Sequence, residues 1–207
     1  GYLGEAIGDA LLPVLKFQHR DVIDTFLPLE TGFHNLAVVS SKQRFPRQAR
    51  KTALGLLGAG QMMFLKVIIV VDEEHQVKDL EKLLDALHNK VNIPDDLVIL
   101  EGMVADSLAH TSPWENVHDK LIIDATTPSE GDPISRPEES SVGESLAISA
   151  SAIEGVVQAR MLRPSMMVVT TEVEGSPSPE ESVEVTNNHL ARLQREKISA
   201  IRDSIWG

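Results

Sequence analysis

Lys66-Val67-Ile68-Ile69-Val70-Val71-Asp72 sets five consecutive β-branched residues between two charges. A strand with one face in water alternates apolar and polar positions, so an unbroken run of this kind demands burial on both faces. The run predicts a central parallel strand with helices on either side. It is also far shorter than the roughly 20 apolar residues that a membrane-spanning helix needs.

The segments around this strand fit the same architecture. Between Glu5 and His19, the residues Ala6, Ile7, Ala10, Leu11, Val14 and Leu15 recur at three and four, one face of a helix with Pro13 inside it. Residues 21–28 end at Pro28 and read as an extended segment or edge strand. Leu36-Ala37-Val38-Val39-Ser40 reads as a strand. Phe45-Pro46 is expected to open a helix lined by Ala49, Ala53, Leu56 and Leu57, with Gly58 and Gly60 closing it. After the central strand, Leu80, Leu83, Leu84 and Leu87 mark an amphipathic helix that Asn92-Ile93-Pro94 ends. Leu97–Leu100 and Lys120–Ala125 supply two more strands. Strands alternating with helices predict an α/β fold, a three-layer sandwich with a largely parallel, mixed sheet.

A chain of 207 residues accommodates one such domain plus an extension, and the composition changes where the extension would begin. From Thr126 to Val185 there are eleven acids and three bases. Residues 129–141 and 175–182, rich in Pro, Ser, Glu and Gly, read as mobile loops. Leu146–Met161 is expected to be a helix and Met166–Thr171 a strand. Thr186–Trp206 reads as a closing helix with Leu190, Leu193, Ile198, Ile201 and Ile205 as its apolar set. The division is therefore 1–126, an acidic insertion at 127–185, and a terminal helix at 186–207.

Charge and composition narrow the chemistry. A formal net charge of −12 repels phosphate backbones and acidic membrane surfaces, so nucleic acid is not an expected partner. The absence of cysteine removes disulfides, thiolate metal sites and a cysteine nucleophile. No Gly-x-Ser-x-Gly elbow occurs, and the seven histidines form no His-x-x-x-His pair. Gly55-x-x-Gly58-x-Gly60 follows a predicted helix instead of opening one, which favours a helix ending and close packing over a phosphate loop. Asp72-Glu73-Glu74-His75 stands at the carboxyl end of the buried strand, where α/β ligands bind; acids opening the next helix would read the same. Lys42, Arg44, Arg47, Arg50 and Lys51 form the basic cluster at the start of a helix, either an anion site or a solvated face. These residues alone name no reaction.

Taken in order, several segments resemble the C-terminal region of the UbiD-type decarboxylases. They are Leu12–Gln18 running into Val22–Pro28, Leu36–Val39 with bases after it, and Gln48-Ala49-Arg50-Lys51. Phe64–Asp72, Asp106-x-Leu108 with Ser112-Pro113, Lys120, Asp124-Ala125-Thr126 and Asp203-x-Ile205-Trp206 follow. The resemblance spans residues 1–126 and resumes in the terminal helix.

The resemblance implies a cytoplasmic carboxy-lyase, such as one of quinone biosynthesis, that decarboxylates an aromatic or α,β-unsaturated acid. Its cofactors would be prenylated flavin mononucleotide (prenylated FMN) and a divalent metal, manganese or magnesium. The family's glutamate pair stands in a Glu-Gly-Pro-Phe-Gly-Glu-like motif that precedes this region and is absent here. The implied role is thus a non-catalytic assembly domain, inactive alone, with no catalytic, cofactor-binding or metal residue of its own. Its partners would be its own N-terminal catalytic domain and further copies, joined through the C-terminal helix. A family lysine directed at the cofactor phosphate would fall near Ala59 or Gly60, and Leu108 would approach the substrate pocket. The opening Gly1-Tyr2-Leu3-Gly4, without methionine or a secretory pattern, reads as part of a longer chain. The alternative is a free-standing α/β module that binds a small ligand at the strand ends near Asp72 and Glu101.

Overall fold

The computed structural model describes residues 2–31, 35–92, 95–107, 114–131, 147–148, 150–152, 156–163 and 166–171. They fall into two compact units, residues 1–106 with 117–136, and residues 107–116 with 137–207.

In the first unit, helix α1 (Tyr2–Gln18) leads into strand β1 (Val22–Phe26) and strand β2 (Leu36–Ser41). Helix α2 (Gln48–Leu57), strand β3 (Val67–Asp72) and helix α3 (Leu80–Lys90) follow, then strands β4 (Leu97–Val104) and β5 (Val117–Ala125). The sheet order is β1-β2-β3-β5-β4. β3 is central and parallel to both neighbours, as its unbroken apolar run requires, while β1 and β4 join the edges antiparallel. The fold is therefore α/β with a mixed sheet whose parallel part is its middle.

Alternation in the strands divides the core between two faces. Ala37, Val39, Ile68, Val70 and Ile122 pack with Leu15 of α1, with Ala49, Ala53 and Leu56 of α2, and with Met62. Val38, Ile69, Val71 and Ala125 face the opposite way, toward Val77 and toward Leu83 and Ala86 of α3. Helices thus cover both faces, giving three layers. At about 1.5–3 kcal/mol for each large apolar side chain buried, this double burial supplies the main driving force.

Local chemistry sets the helix ends. Asp79 caps α3 by accepting from the Lys82 N–H at 3.1 Å. Gly58 closes α2 with its N–H on the Leu54 carbonyl. Gly55 serves close packing, since a Cβ there would stand 2.6 Å from the His19 ring. The glycines therefore end and pack a helix and do not form a phosphate loop. The start of α2 differs from expectation. Phe45 and Pro46 lie in the turn before it, the Phe45 carbonyl accepts from the Gln48 N–H, and Arg47 at the boundary is left-handed with φ 62°. The chain must reverse as it leaves β2, and that reversal takes up the residues that would have been the first turn.

At the amino-terminal edge of the parallel strands, Lys120 of β5 is 1% exposed. Its Nζ donates to the carbonyls of Met63 at 2.6 Å, Leu65 at 2.8 Å and Val104 at 2.9 Å. One ammonium thus ties β5 to β4 and to the 3-10 turn Gly60–Phe64 with the residue after it.

In the second unit, strand β6 (Val156–Arg163) pairs antiparallel with strand β7 (Met166–Thr171). This corrects the helix expected over Leu146–Met161. Only Ala147, Ile148, Ala150 and Ser151 are helical among the described residues there, and Val156–Met161 is strand. Val156 and Val157 favour an extended backbone, and β7 supplies the hydrogen-bonding partner that a local helical pattern ignores. The expected loops over 132–141 and 175–182 and the helix over 186–206 lie outside the described residues. Among the described residues, no helix is long and apolar enough to cross a membrane.

Replacing Lys120 with Met should cost on the order of 3 kcal/mol in chemical denaturation, because three buried carbonyls lose a charged donor. Burial, with Lys66 adding to it, brings the Lys120 ammonium down to about 8. The unfolded chain holds that proton more tightly, so unfolding takes up a proton above pH 8. This residue's contribution to stability therefore rises with pH from about 8 into the ordinary lysine range. That slope should vanish in Lys120→Met.

Candidate functional site

α2 leaves the end of β2 over one face of the sheet, and α3 leaves the end of the adjacent parallel β3 over the other. Adjacent parallel strands whose connections part in this way open a crevice at their carboxyl ends, the usual ligand position of an α/β sheet. Ser40 and Ser41 end β2 there, Asp72 ends β3, and Asp124 and Thr126 mark the end of β5.

Asp72 is a clamp and is not available to a metal. Its Oδ2 accepts from Lys90 Nζ at the end of α3 and from Thr127 Oγ1 at 2.7 Å, and its Oδ1 accepts from the Thr127 N–H at 2.9 Å. Burial works to raise this carboxyl, but the Lys90 and Thr127 hydrogen bonds outweigh it and hold the group below its ordinary range. Glu73 pairs with Lys42 across the crevice mouth at 3.3 Å, both side chains half exposed. His75 is held toward its neutral form, first by burial and then by the Lys90 charge. Among the described residues, no group of three or more His, Asp or Glu converges as a metal site. Asp72-Glu73-Glu74-His75 is therefore a joint between β3 and α3.

The basic cluster divides. Arg44 and Lys51 both reach Asp21, at 3.7 and 3.5 Å, and Arg47 reaches the buried Asp96 at 3.2 Å. With Lys42 on Glu73, four of the five bases are paired with three acids of the same domain. Arg50 makes no such pair. Its Nε and Nη2 are buried without a hydrogen-bond partner. Asp124 is close enough for the two charges to influence each other, yet its Oδ1 takes the Thr126 hydroxyl at 2.6 Å, and burial raises its carboxyl. Beside Arg50 in the chain, Gln48 is 1% exposed. Its side-chain oxygen accepts from the Arg44 N–H at 2.6 Å, while its Nε2 is buried without an acceptor. The Oγ of Ser41 is likewise buried and unpartnered.

Glu101 does not join Asp72. β4 is antiparallel, and Met103 pairs with His118 while Leu97 pairs with Ile123, so residues late in β4 lie at the opposite edge of the sheet. The direction of an edge strand is a tertiary property, which is why strand ends read from sequence misplaced Glu101. Ala59 and Gly60 also stand away from the crevice, Ala59 just before the 3-10 turn and Gly60 as its first residue, with no side-chain donor for a cofactor phosphate. Leu108 lies outside the described residues. Neither Ala59 nor Gly60 thus takes the place of the family lysine directed at the cofactor phosphate. Sequence reading missed the Lys120 cage and the Gln48 and Thr127 contacts. The signal for Lys120 was its register, two positions before Ile122 and so on a core-facing side of β5.

A family model described as the 3-octaprenyl-4-hydroxybenzoate carboxy-lyase C-terminal domain matches residues 1–125. An uncharacterized protein of Archaeoglobus fulgidus is 38% identical over 125 residues, covering 60% of this chain and 26% of its own. Another, of Aquifex aeolicus, is 42% identical over 126 residues, covering 61% and 26%. Among solved structures, the open form of the Sedimentibacter hydroxybenzoicus vanillic acid decarboxylase superposes with a TM-score of 0.56 at 30% identity, over 63% of this chain and 28% of that one. The UbiD-class enzyme HmfF from Pelotomaculum thermopropionicum, in complex with FMN, shares the fold, with a TM-score of 0.54 at 23% identity over 65% and 30%. The chain spans about a quarter of the length of the relatives it matches.

Asp72→Asn should destabilise the domain by about 1–2 kcal/mol at neutral pH, since Lys90 loses its charged partner. The folded Asp72 carboxyl is depressed, so its stabilisation is complete above the ordinary carboxylate range. It is lost as pH falls through the folded value. Unfolding midpoints of the two proteins should converge as the solution is acidified through that window.

Proposed function

The chain belongs to the UbiD family as a form of its C-terminal domain, and from that premise we propose that it is the non-catalytic assembly domain of a UbiD-type decarboxylase. The observation that carries this is the match of residues 1–125 to the C-terminal domain model, in relatives about four times as long as the matched part. The rest of such a protein would hold the reaction. The parent would remove CO2 from an aromatic or α,β-unsaturated acid, a quinone precursor being one candidate, and would work in the cytoplasm. The vanillic acid decarboxylase and the FMN-bound HmfF support that reaction class and flavin use. Prenylated FMN and manganese or magnesium would then be held by the N-terminal catalytic domain, and no step of the reaction is assigned to this chain.

In this reading residues 1–126 dock on the catalytic domain, 127–185 form a lineage insertion, and 186–207 form a helix that contacts another subunit. A helix carrying Ile198, Ile201, Ile205 and Trp206 needs a surface to cover it. Nucleic acid has no part, given the acidic charge. The second reading, a small-ligand module with its site near Asp72, draws support from the crevice between β2 and β3.

Removing residues 186–207 should weaken self-association in sedimentation velocity over a concentration series; an unchanged distribution would count against the assembly role. The isolated chain should also purify without a flavin absorption band. A retained flavin would place cofactor contacts in this domain and overturn the division of labour.

A further inference from the structure

Three observations meet where β2 passes into α2. The place is the crevice that an α/β sheet uses for ligands. The first turn of the ten-residue helix α2 has no side-chain cap; its Gln48 N–H goes to the Phe45 carbonyl, and the positive end of the helix dipole is at the crevice. Independently, the side chains there are donors without acceptors. Gln48 Nε2 is among them, on a residue 99% buried whose other amide atom is fixed by the Arg44 N–H. Arg50 Nε and Nη2 are a second set, and the buried Ser41 hydroxyl is a third. The Gln48 amide is held at the mouth of α2 by the Arg44 N–H, and Arg50 lies within electrostatic reach of Asp124 near the end of β5.

A buried donor left unmade is costly, and more so on a charged group such as the Nε and Nη2 of the partly buried Arg50. Asp124 lies within electrostatic reach of Arg50, but no ion pair joins them: its Oδ1 takes the Thr126 hydroxyl, and burial raises its carboxyl. Asp21, Glu73 and Asp96 are paired with the other four bases of the cluster. Asp72 is consumed by Lys90 and Thr127. What the geometry lacks is an acceptor with several oxygens and negative charge.

We propose that the crevice at the β2–α2 junction binds a phosphate-type oxyanion, held by the Arg50 guanidinium, the Gln48 side-chain amide, the Ser41 hydroxyl and the first turn of α2. The site lies at the edge of the sheet opposite Lys120 and the 3-10 turn, and it does not depend on the assembly role. A planar guanidinium suits two oxygens of one anion, and Gln48 and Ser41 supply the neutral donors that distinguish a defined site from a charged surface.

The test is a titration of the 207-residue chain with inorganic phosphate, followed by calorimetry and by the NMR resonance of the Arg50 Nε–H, assigned by its loss in Arg50→Lys. Saturable binding with a shifted Arg50 Nε–H is expected. In Arg50→Lys, which keeps the charge but not the fork, the affinity should fall about tenfold. An unmoved Arg50 resonance in the wild-type protein would overturn the proposal whatever the variant does. So would equal affinity in the variant, or an Arg50 Nε–H already protected by Asp124 in phosphate-free protein.

Discussion

A lysine ammonium almost wholly removed from water is tolerable only when each of its protons has an acceptor, and Lys120 meets that condition with three carbonyls. Those carbonyls come from the strand beside β5 and from the turn that precedes β3. The amino-terminal edge of the sheet is thus gathered at one charge. No apolar side chain could do this, because the carbonyls of a turn and of a strand end are not all satisfied by the ladder. The packing of β3 between two helical layers relies on that edge being closed.

The carboxyl edge is tied by the opposite charge. Asp72 accepts from the end of α3 and from the segment after β5, so two connections on different sides of the sheet converge on one carboxylate. Beside these clamps an opening lies between the ends of β2 and β3, where α2 and α3 part. Most of the charge around that opening is internally paired. Arg50 and Gln48 are exceptions, and they are exceptions inside the domain, where unmet hydrogen bonds cost most.

Much of the architecture was readable because it rests on local rules. The run Val67–Val71 could only be a doubly buried strand, Leu80–Leu87 could only be one face of a helix, and Gly58 behaved as a helix-ending glycine. The misreadings share a cause. Val156–Met161 carries a pattern compatible with a helix until its partner strand is known. The turn at Phe45-Pro46 depends on how far the chain must reverse after β2. Glu101 was placed with Asp72 because a sequence does not state the direction of an edge strand.

The family likeness, the alternation of strands and helices, the acidic charge and the lack of thiol chemistry follow from the residues alone. They depend on residue type and near-neighbour spacing, which folding does not alter. Which bases are neutralised, which carboxylate is a clamp and which lysine is buried were decided by the tertiary structure. Those are questions of pairing between residues as much as 57 positions apart, as for Lys120 and Met63. The five bases from Lys42 to Lys51 look alike in sequence, and only the folded sheet makes Arg50 different from the other four.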